Sequence, residues 1–295
     1  MSDKDLETLA LRRKAFFIIA NDSREYERDI IPNDQFIQKL KFRAVDIFTF
    51  VERKWCHAIS TPPNSWLRAN DNIAILKTPT YEQWLKDIGK KTRNMIRKAE
   101  KSGIVTAVAE PDERLAVGIW EIYNETPIRQ DRGFSHYGIK LEIVKKDVLS
   151  NRNRTYIVAY LNNELVGFIT LVHGDQIAII SQILSLQKHW DKAVNNALVA
   201  KTVEYCASQN IPWIMYGRMG NHPSLDSFKQ NNGFSRFELT RYYIPITRKG
   251  MMIARLRLHE ELKDRLPQSI KYKLIPVYNW ISRVRTRMMM YLKPK

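Results

Sequence analysis

Apolar residues along this chain alternate, run together or recur at helical spacing, and the changes between these patterns divide it into elements. Up to about residue 71, short strand-like runs (Ala15 to Ala20, Ala44 to Val51, Trp55 to Ile59) are separated by polar connectors. Pro62-Pro63-Asn64-Ser65 marks a loop. Asn72 to Thr78 reads as another strand, after which Trp84 to Gly103 reads as one basic amphipathic helix. Its Ile88, Met95, Ile96 and Ala99 share a face while Lys90, Lys91, Arg93, Arg97, Lys98 and Lys101 cover the remainder. Thr80 fits the N-cap, with Gln83 three residues on, and Gly103 closes the helix.

A strand over Ile104 to Ala109 leads to a helix from about Pro111 to Asn124, with Leu115, Ile119, Trp120 and Ile122 on its apolar side. The polar loop Pro127 to Gly138 and a short helix from Ile139 to Leu149 follow. Alternation then predicts three strands, Thr155 to Leu161, Glu164 to His173 and Gln176 to Leu184. Asn162-Asn163 and Gly174-Asp175 are hairpin signals between them. A long helix from Trp190 to Gln209 stacks Val194, Leu198, Lys201, Thr202 and Tyr205; beyond it come a strand at Pro212 to Tyr216, a helix at Ser224 to Asn231 and a final strand pair within Phe234 to Ile246. This order predicts a strand-rich extension over 1–71, a main domain over 72–247 and a basic helical tail over 248–295.

Charge sharpens this picture. A net charge of +17 and a pI near 9.8 attract phosphate-rich partners: nucleic acid, an anionic membrane, nucleotide-sugars or the phosphates of coenzyme A. The two cysteines, Cys56 and Cys206, lack metal-ligand spacing, so reduced thiols in a cytosolic protein are expected, with neither a zinc site nor a disulfide framework. The start Met-Ser-Asp-Lys-Asp-Leu-Glu does not have the order of a secretion signal, and Ala15 to Ala20 is too short to span a bilayer. A cytoplasmic location is the expectation, with any membrane contact peripheral at the inner face.

Three motifs carry a family resemblance. The run Arg93-Asn-Met-Ile-Arg-Lys-Ala-Glu-Lys-Ser-Gly-Ile104 resembles the Arg-rich helix of FemAB-type transferases, peptidoglycan-bridge enzymes built on the GNAT acetyltransferase fold. Tyr216-Gly-Arg-Met-Gly-Asn221 is similar to the turn after that fold's fifth strand, and Ser227-Phe-Lys-Gln-Asn-Asn-Gly-Phe234 to the family's Phe-Lys-x-x-x-Gly segment. The resemblance covers roughly Asn72 to Ile246 and implies an α/β (α+β) GNAT acyltransferase fold, a mixed and mostly antiparallel central sheet flanked by helices. It implies transfer of an acyl or aminoacyl group to an amine of a cell-envelope precursor or sugar-type acceptor. The first 71 residues supply at most part of the second GNAT-like half that bridge-building members carry.

In such a fold the fourth strand (Gln176 to Leu184) splays from the fifth (Pro212 to Tyr216), and the next helix presents its N-terminus to the donor's pyrophosphate. Acetyl-CoA-using members prepare that turn with glycines, whereas Gln187 to Leu198 has none. Lys188, His189, Lys192 and Asn195 are therefore the candidates for holding donor phosphate, from acyl-CoA or aminoacyl-tRNA. Lys229 resembles the family's lysine at the reacting end, where its ammonium would stabilise charge on the acyl carbonyl or bind the donor phosphate; read structurally, a lysine on a short helix before a Gly-Phe turn is a surface cation. In the polar loop, Arg129, Gln130 and Arg132 are candidates to orient the acceptor, and His136 and Tyr137 to take its amine proton. The same loop read structurally is held by pairing of arginine with Asp131. Gln182 and Tyr216 face the acceptor region in this reading, and Arg93 and Arg97 add to an anion-binding groove. His173, which ends the second strand of the meander, has the same two readings as Gln182: facing the acceptor, or an ordinary hydrogen-bonded residue. The fourth strand offers no carboxylate base, and no His, Cys and carboxylate cluster has metal-ligand spacing, so no metal is expected.

In the tail, Val277, Trp280, Ile281, Val284, Met288 and Tyr291 recur at helical spacing, with Arg283, Arg285 and Arg287 on other faces. Such a helix over 276–292 suits either an anionic membrane near a lipid-linked acceptor or a groove on the main domain. Two other functions fit the sequence: an acyl-CoA-dependent GNAT N-acetyltransferase, and a non-catalytic GNAT-fold protein binding RNA, such as tRNA, or anionic membrane.

Overall fold

The computed structural model describes residues 6, 8–14, 16–29, 32–53, 63–129, 131–150, 153–220, 222–259, 274, 276–277, 279–284 and 286. In chain order the elements are β1 (Leu9–Lys14), β2 (Phe17–Asp22), α1 (Asp34–Phe42), β3 (Ile47–Val51), β4 (Leu67–Lys77), α2 (Tyr81–Asp87), α3 (Lys90–Lys101) and β5 (Val105–Ala109). Next come α4 (Glu113–Asn124), the two-residue strands β6 (Ile128–Arg129) and β7 (Arg132–Gly133), α5 (Leu141–Ser150), β8 (Arg154–Leu161), β9 (Glu164–Gly174) and β10 (Ile177–Ser185). A 3-10 turn (Gln187–Lys192) precedes α6 (Val194–Ser208), β11 (Trp213–Met215), α7 (Pro223–Asn231), β12 (Ser235–Pro245) and α8 (Arg248–Arg255). The result is a mixed α/β protein with a large, mostly antiparallel sheet flanked by helices.

The chain divides into two compact units, one of Met1–Ile73, Gly174–Gln176 and Arg236–Pro267, the other of Ala74–His173, Ile177–Ser235 and Gln268–Lys295. In the first, strands lie in the order β1-β2-β3-β12, with β2 and β3 parallel across α1. Alternation along β3 sends Phe48 and Phe50 toward Phe36 and Leu40 of α1, and Ile47 toward Ile253 and Ala254 of α8. Asn33 caps α1 by accepting from the Phe36 amide at 2.9 Å.

In the second unit the order is β4-β11-β10-β9-β8-β5, over one large core. The β8–β9 hairpin turns at Asn162 and Asn163, both at positive φ, as the Asn-Asn signal predicts. Three sequence expectations are corrected. The single basic helix from Trp84 is two, because Ile88 and Gly89 are extended, and Ile88 is buried. Thr80 does cap α2, accepting from the Gln83 amide at 3.2 Å. The predicted pair of strands over Phe234 to Ile246 is one strand, β12, and the helix expected from Trp190 starts at Val194 behind the 3-10 turn. Hydrophobic alternation missed β1 and α1, while the expected strand at Trp55 to Ile59 lies outside the described residues.

Candidate active site

A local failure of strand pairing shapes the site. Strand β11 pairs with β10 over only three positions, Ile177 with Trp213, Ala178 with Ile214 and Ile179 with Met215. Beyond Met215 the chain stays with β4, the Tyr216 amide donating to Ala74 O at 2.8 Å and the Ala74 amide to Gly217 O at 2.7 Å. Gly217 sits at positive φ, where a side chain would be strained. Among the described residues, strand β10 continues to Ser185 without a partner on that side, and a cleft of about 670 Å³ opens there. Its lining includes Ser181 to Ser185, Trp190, Ala193 to Asn196, Tyr216, Phe228, Arg129 and Arg132.

The first turn of α6 faces this cleft. Ala193 holds φ 54° and ψ 34°, a left-handed conformation usually left to glycine; α6 has no acidic residue in its first turn and, among the described residues, no side-chain cap. Among the described residues the amides of Val194 and Asn195 have no acceptor, so they and the helix dipole favour an anion. The preceding turn is already satisfied: the Glu125 carboxylate accepts from the amides of Gln187 at 2.9 Å and Lys188 at 3.2 Å. Glu125 also accepts from Arg129 at 2.9 Å, and Arg129 donates to Ser185 O and Ile122 O. This guanidinium is buried and lies over the Phe134 ring. Two buried atoms in cleft-lining residues, Arg129 Nε and Asn195 Oδ1, lack partners among the described residues. Leaving such atoms unpaired costs roughly 1–3 kcal/mol each, which a polar ligand would recover.

A second cavity of about 400 Å³ meets the cleft at Ser181 and Gln182, which line both. Here Tyr123 donates to Gln182 Oε1 at 2.6 Å and stacks on His136 with ring centroids 4.6 Å apart. Burial pushes the Tyr123 hydroxyl up to about 12, while burial lowers His136 and keeps its imidazole neutral at pH 7 despite Asp147. Arg154 and Asp147 form an ion pair at 2.7 Å on the same wall.

Lys229 lies on α7, buried. Its ammonium donates to Arg218 O at 2.8 Å and sits 4.7 Å from the centre of the Tyr216 ring, a wall of the cleft. Burial outweighs Asp226 and lowers it to about 8.

The structure thus brings Arg129, Arg132, Gln182, Asn195 and Tyr216 to the cleft, with Lys229 behind Tyr216, and places His136 with Gln182 in the second cavity. Other candidates point elsewhere. Arg93 caps the C-terminus of α2, donating to Lys86 O at 3.0 Å, Leu85 O and Ile88 O. Arg97 is exposed beside Asn94, Lys188 pairs with Glu164, and Lys192 lies near Asp191. His189 and Tyr137 line neither cavity, and Gln130 lies outside the described residues. His173 is hydrogen-bonded, its Nε2 lying 2.8 Å from Thr155 Oγ1, and it too lines neither cavity. Asp131 is 3.5 Å from Arg283. Sequence reasoning missed Tyr123, Glu125, Asp147 and Arg154. Tyr123 and Glu125 flank the end of the predicted helix with no motif, and Asp147 and Arg154 meet only through the fold.

Residues 116–234 match the model of the Acetyltransferase (GNAT) family. No curated protein matches the sequence significantly. Among solved structures, the chain is similar to FemX, with a TM-score of 0.55 at 10% identity over 79% of this chain and 83% of that one. It is also similar to L-PGS from Bacillus licheniformis, with a TM-score of 0.53 at 13% identity over 85% and 86% of the two chains. The C-terminal domain (DUF2156) of a protein assigned as a lysylphosphatidylglycerol synthetase from Agrobacterium fabrum gives 0.52 at 11% identity over 84% and 83%.

Proposed function

From a chain with a GNAT acetyltransferase domain and a GNAT/FemAB-related fold, we propose an enzyme that transfers an acyl or aminoacyl group from a phosphate-bearing donor to an amine. The observation that carries the reading is the cleft left by β10 and β11, lying against the bare first turn of α6 and meeting a second, polar cavity at Gln182. Donor phosphate binds at the amides of Val194 and Asn195, and the acyl arm lies along the unpaired edge of β10. The amine enters the second cavity beside the Asp147–Arg154 pair and attacks the acyl carbonyl near Gln182. Neutral His136 takes the proton the amine loses; the bond from the acyl carbon to the donor's sulfur (acyl-CoA) or ribose oxygen (aminoacyl-tRNA) then breaks, that atom leaves with the electron pair, and the proton on His136 passes to it. The Lys229 ammonium, behind Tyr216, stabilises the negative charge that develops on the carbonyl oxygen. A cell-envelope precursor or sugar amine is the acceptor class this reading takes from the family resemblance.

Calorimetric titration with acetyl-CoA and, separately, with charged tRNA tests the reading. One-to-one micromolar binding of acetyl-CoA, about −8 kcal/mol, assigns the donor to acyl-CoA, held at the amides of Val194 and Asn195 without a glycine turn. Binding of charged tRNA alone assigns an aminoacyl donor. Failure of both ligands to bind, or binding unaffected by Asn195→Asp at the α6 terminus, removes the proposal.

A further inference from the structure

The segment Gln268 to Lys295 carries seven Lys or Arg and no Asp or Glu. Its described residues between 274 and 286 are helical, and the helix docks by a polar face. Arg132 Nε donates to Asn279 Oδ1 at 2.7 Å and the Gly133 amide to Ser282 Oγ at 3.1 Å. Thr286 approaches Gly133 so closely that a Cβ there would lie 1.9 Å from its hydroxyl oxygen. Residues 279, 282 and 286 recur at helical spacing, so one polar stripe faces the β6–β7 hairpin.

The apolar side chains point the other way. Leu274, Val277, Trp280 and Ile281 fall on the opposite side of a helix with 3.6 residues per turn, and they are 47%, 54%, 60% and 53% exposed. This reverses the usual arrangement, in which a helix on a domain surface buries its apolar stripe and hydrates its polar one. A tryptophan and three aliphatic side chains facing outward from an all-basic segment match the chemistry of an anionic bilayer, with rings and alkyl groups among the acyl chains and Lys and Arg at the headgroups. RNA would use the charge and leave the aliphatic stripe in water, so the stripe selects lipid.

We infer that the C-terminal helix is a peripheral docking surface for an anionic lipid bilayer. The hairpin that holds the helix also lines the proposed donor cleft through Arg132 and Gly133. Docking therefore puts that cleft beside the membrane, where a lipid-linked acceptor is carried.

Co-sedimentation of the full chain with vesicles tests this without any turnover, so its outcome is independent of the acyl-transfer reading. Vesicles containing about 30% phosphatidylglycerol in phosphatidylcholine are expected to bind at least ~10-fold more tightly than pure phosphatidylcholine vesicles. Trp280→Ser combined with Ile281→Ser is expected to reduce that binding at least ~10-fold with an unchanged thermal melt, since both side chains are exposed. Val277→Asp is a second variant at an exposed position, expected to act in the same direction. Equal binding to both vesicle types, or binding to phosphatidylglycerol vesicles that survives these substitutions, overturns the inference. A loss of tRNA binding in the variants without a loss of vesicle binding also overturns it and assigns the helix to RNA.

Discussion

The two units bury cations in opposite ways. In the first, Arg241 is held by Glu25 at 2.9 Å and 3.0 Å and by Asp71 at 2.8 Å, with Thr49 and Tyr26 completing the fork. Those carboxylates outweigh burial and keep Arg241 firmly charged. In the second, Lys229 meets a carbonyl and an aromatic face, and burial wins, lowering it to about 8. A fully compensated buried charge secures a fold, whereas a poorly compensated one is held at a cost that chemistry can use.

Arg241→Met is expected to have the largest effect. It takes the guanidinium away from Glu25 and Asp71, both buried, and removing one partner from such a network costs about 3–5 kcal/mol. Urea denaturation followed by circular dichroism measures the loss. A cost below about 1 kcal/mol would mean that water already reaches these carboxylates and would erase the contrast between the units.

Lys229→Met reverses the pattern. Acyl transfer is expected to fall ~10-fold, because the ammonium acts on the carbonyl through its field from behind Tyr216 and not as a direct donor, while stability at pH 7 holds or rises because a desolvated ammonium has been removed. Comparing kcat with urea midpoints tests both halves. A variant that unfolds like Arg241→Met would make Lys229 a structural cation too.

The pH dependence sharpens the same point. The charged lysine is the working form, so the rate of the native protein is expected to decline as pH rises through about 8. The residual rate of Lys229→Met should lack that step. Stability moves oppositely: the lysine holds its proton more weakly folded than unfolded, so between pH about 8 and its ordinary 10.5 the native protein gains stability relative to the variant. Melting temperatures across that range read the sign.

Most of the fold of the second unit was legible because its strands alternate cleanly and its turns carry Asn-Asn and Gly signals. The splay of β10 from β11 followed from a resemblance in motifs rather than from pattern. The break at Ile88-Gly89 was hidden because Ile88 fits the apolar stripe of a continuous helix and is buried even as an extended residue. Within the candidate site, residues in motifs, such as Lys229 and Tyr216, could be found, and residues assembled by tertiary contact could not. Glu125 shows why: its carboxylate satisfies amides more than sixty positions away, a relation with no local spacing. Arg93 shows the converse, since a basic helix looks like an anion groove until its guanidinium is seen closing the preceding helix.

The smallest expected effect concerns strain rather than charge. Ala193 occupies the left-handed region at the start of α6, where a Cβ costs about 1 kcal/mol and glycine is free of that cost. Ala193→Gly removes the strain and adds disorder to the unfolded chain, so a net gain of about 0.5 kcal/mol is expected, with donor affinity unchanged because the amides of Val194 and Asn195 keep their direction. Ala193→Val is the informative partner. A β-branched side chain at that φ costs more than alanine, and relieving it would turn the first amides of α6 away from the cleft. Donor binding should therefore weaken in the valine variant and persist in the glycine variant, as read by the same titration. Equal binding in both would show that the left-handed residue shapes only the turn, and that the cleft holds its anion by side chains such as Asn195 instead of by the helix terminus.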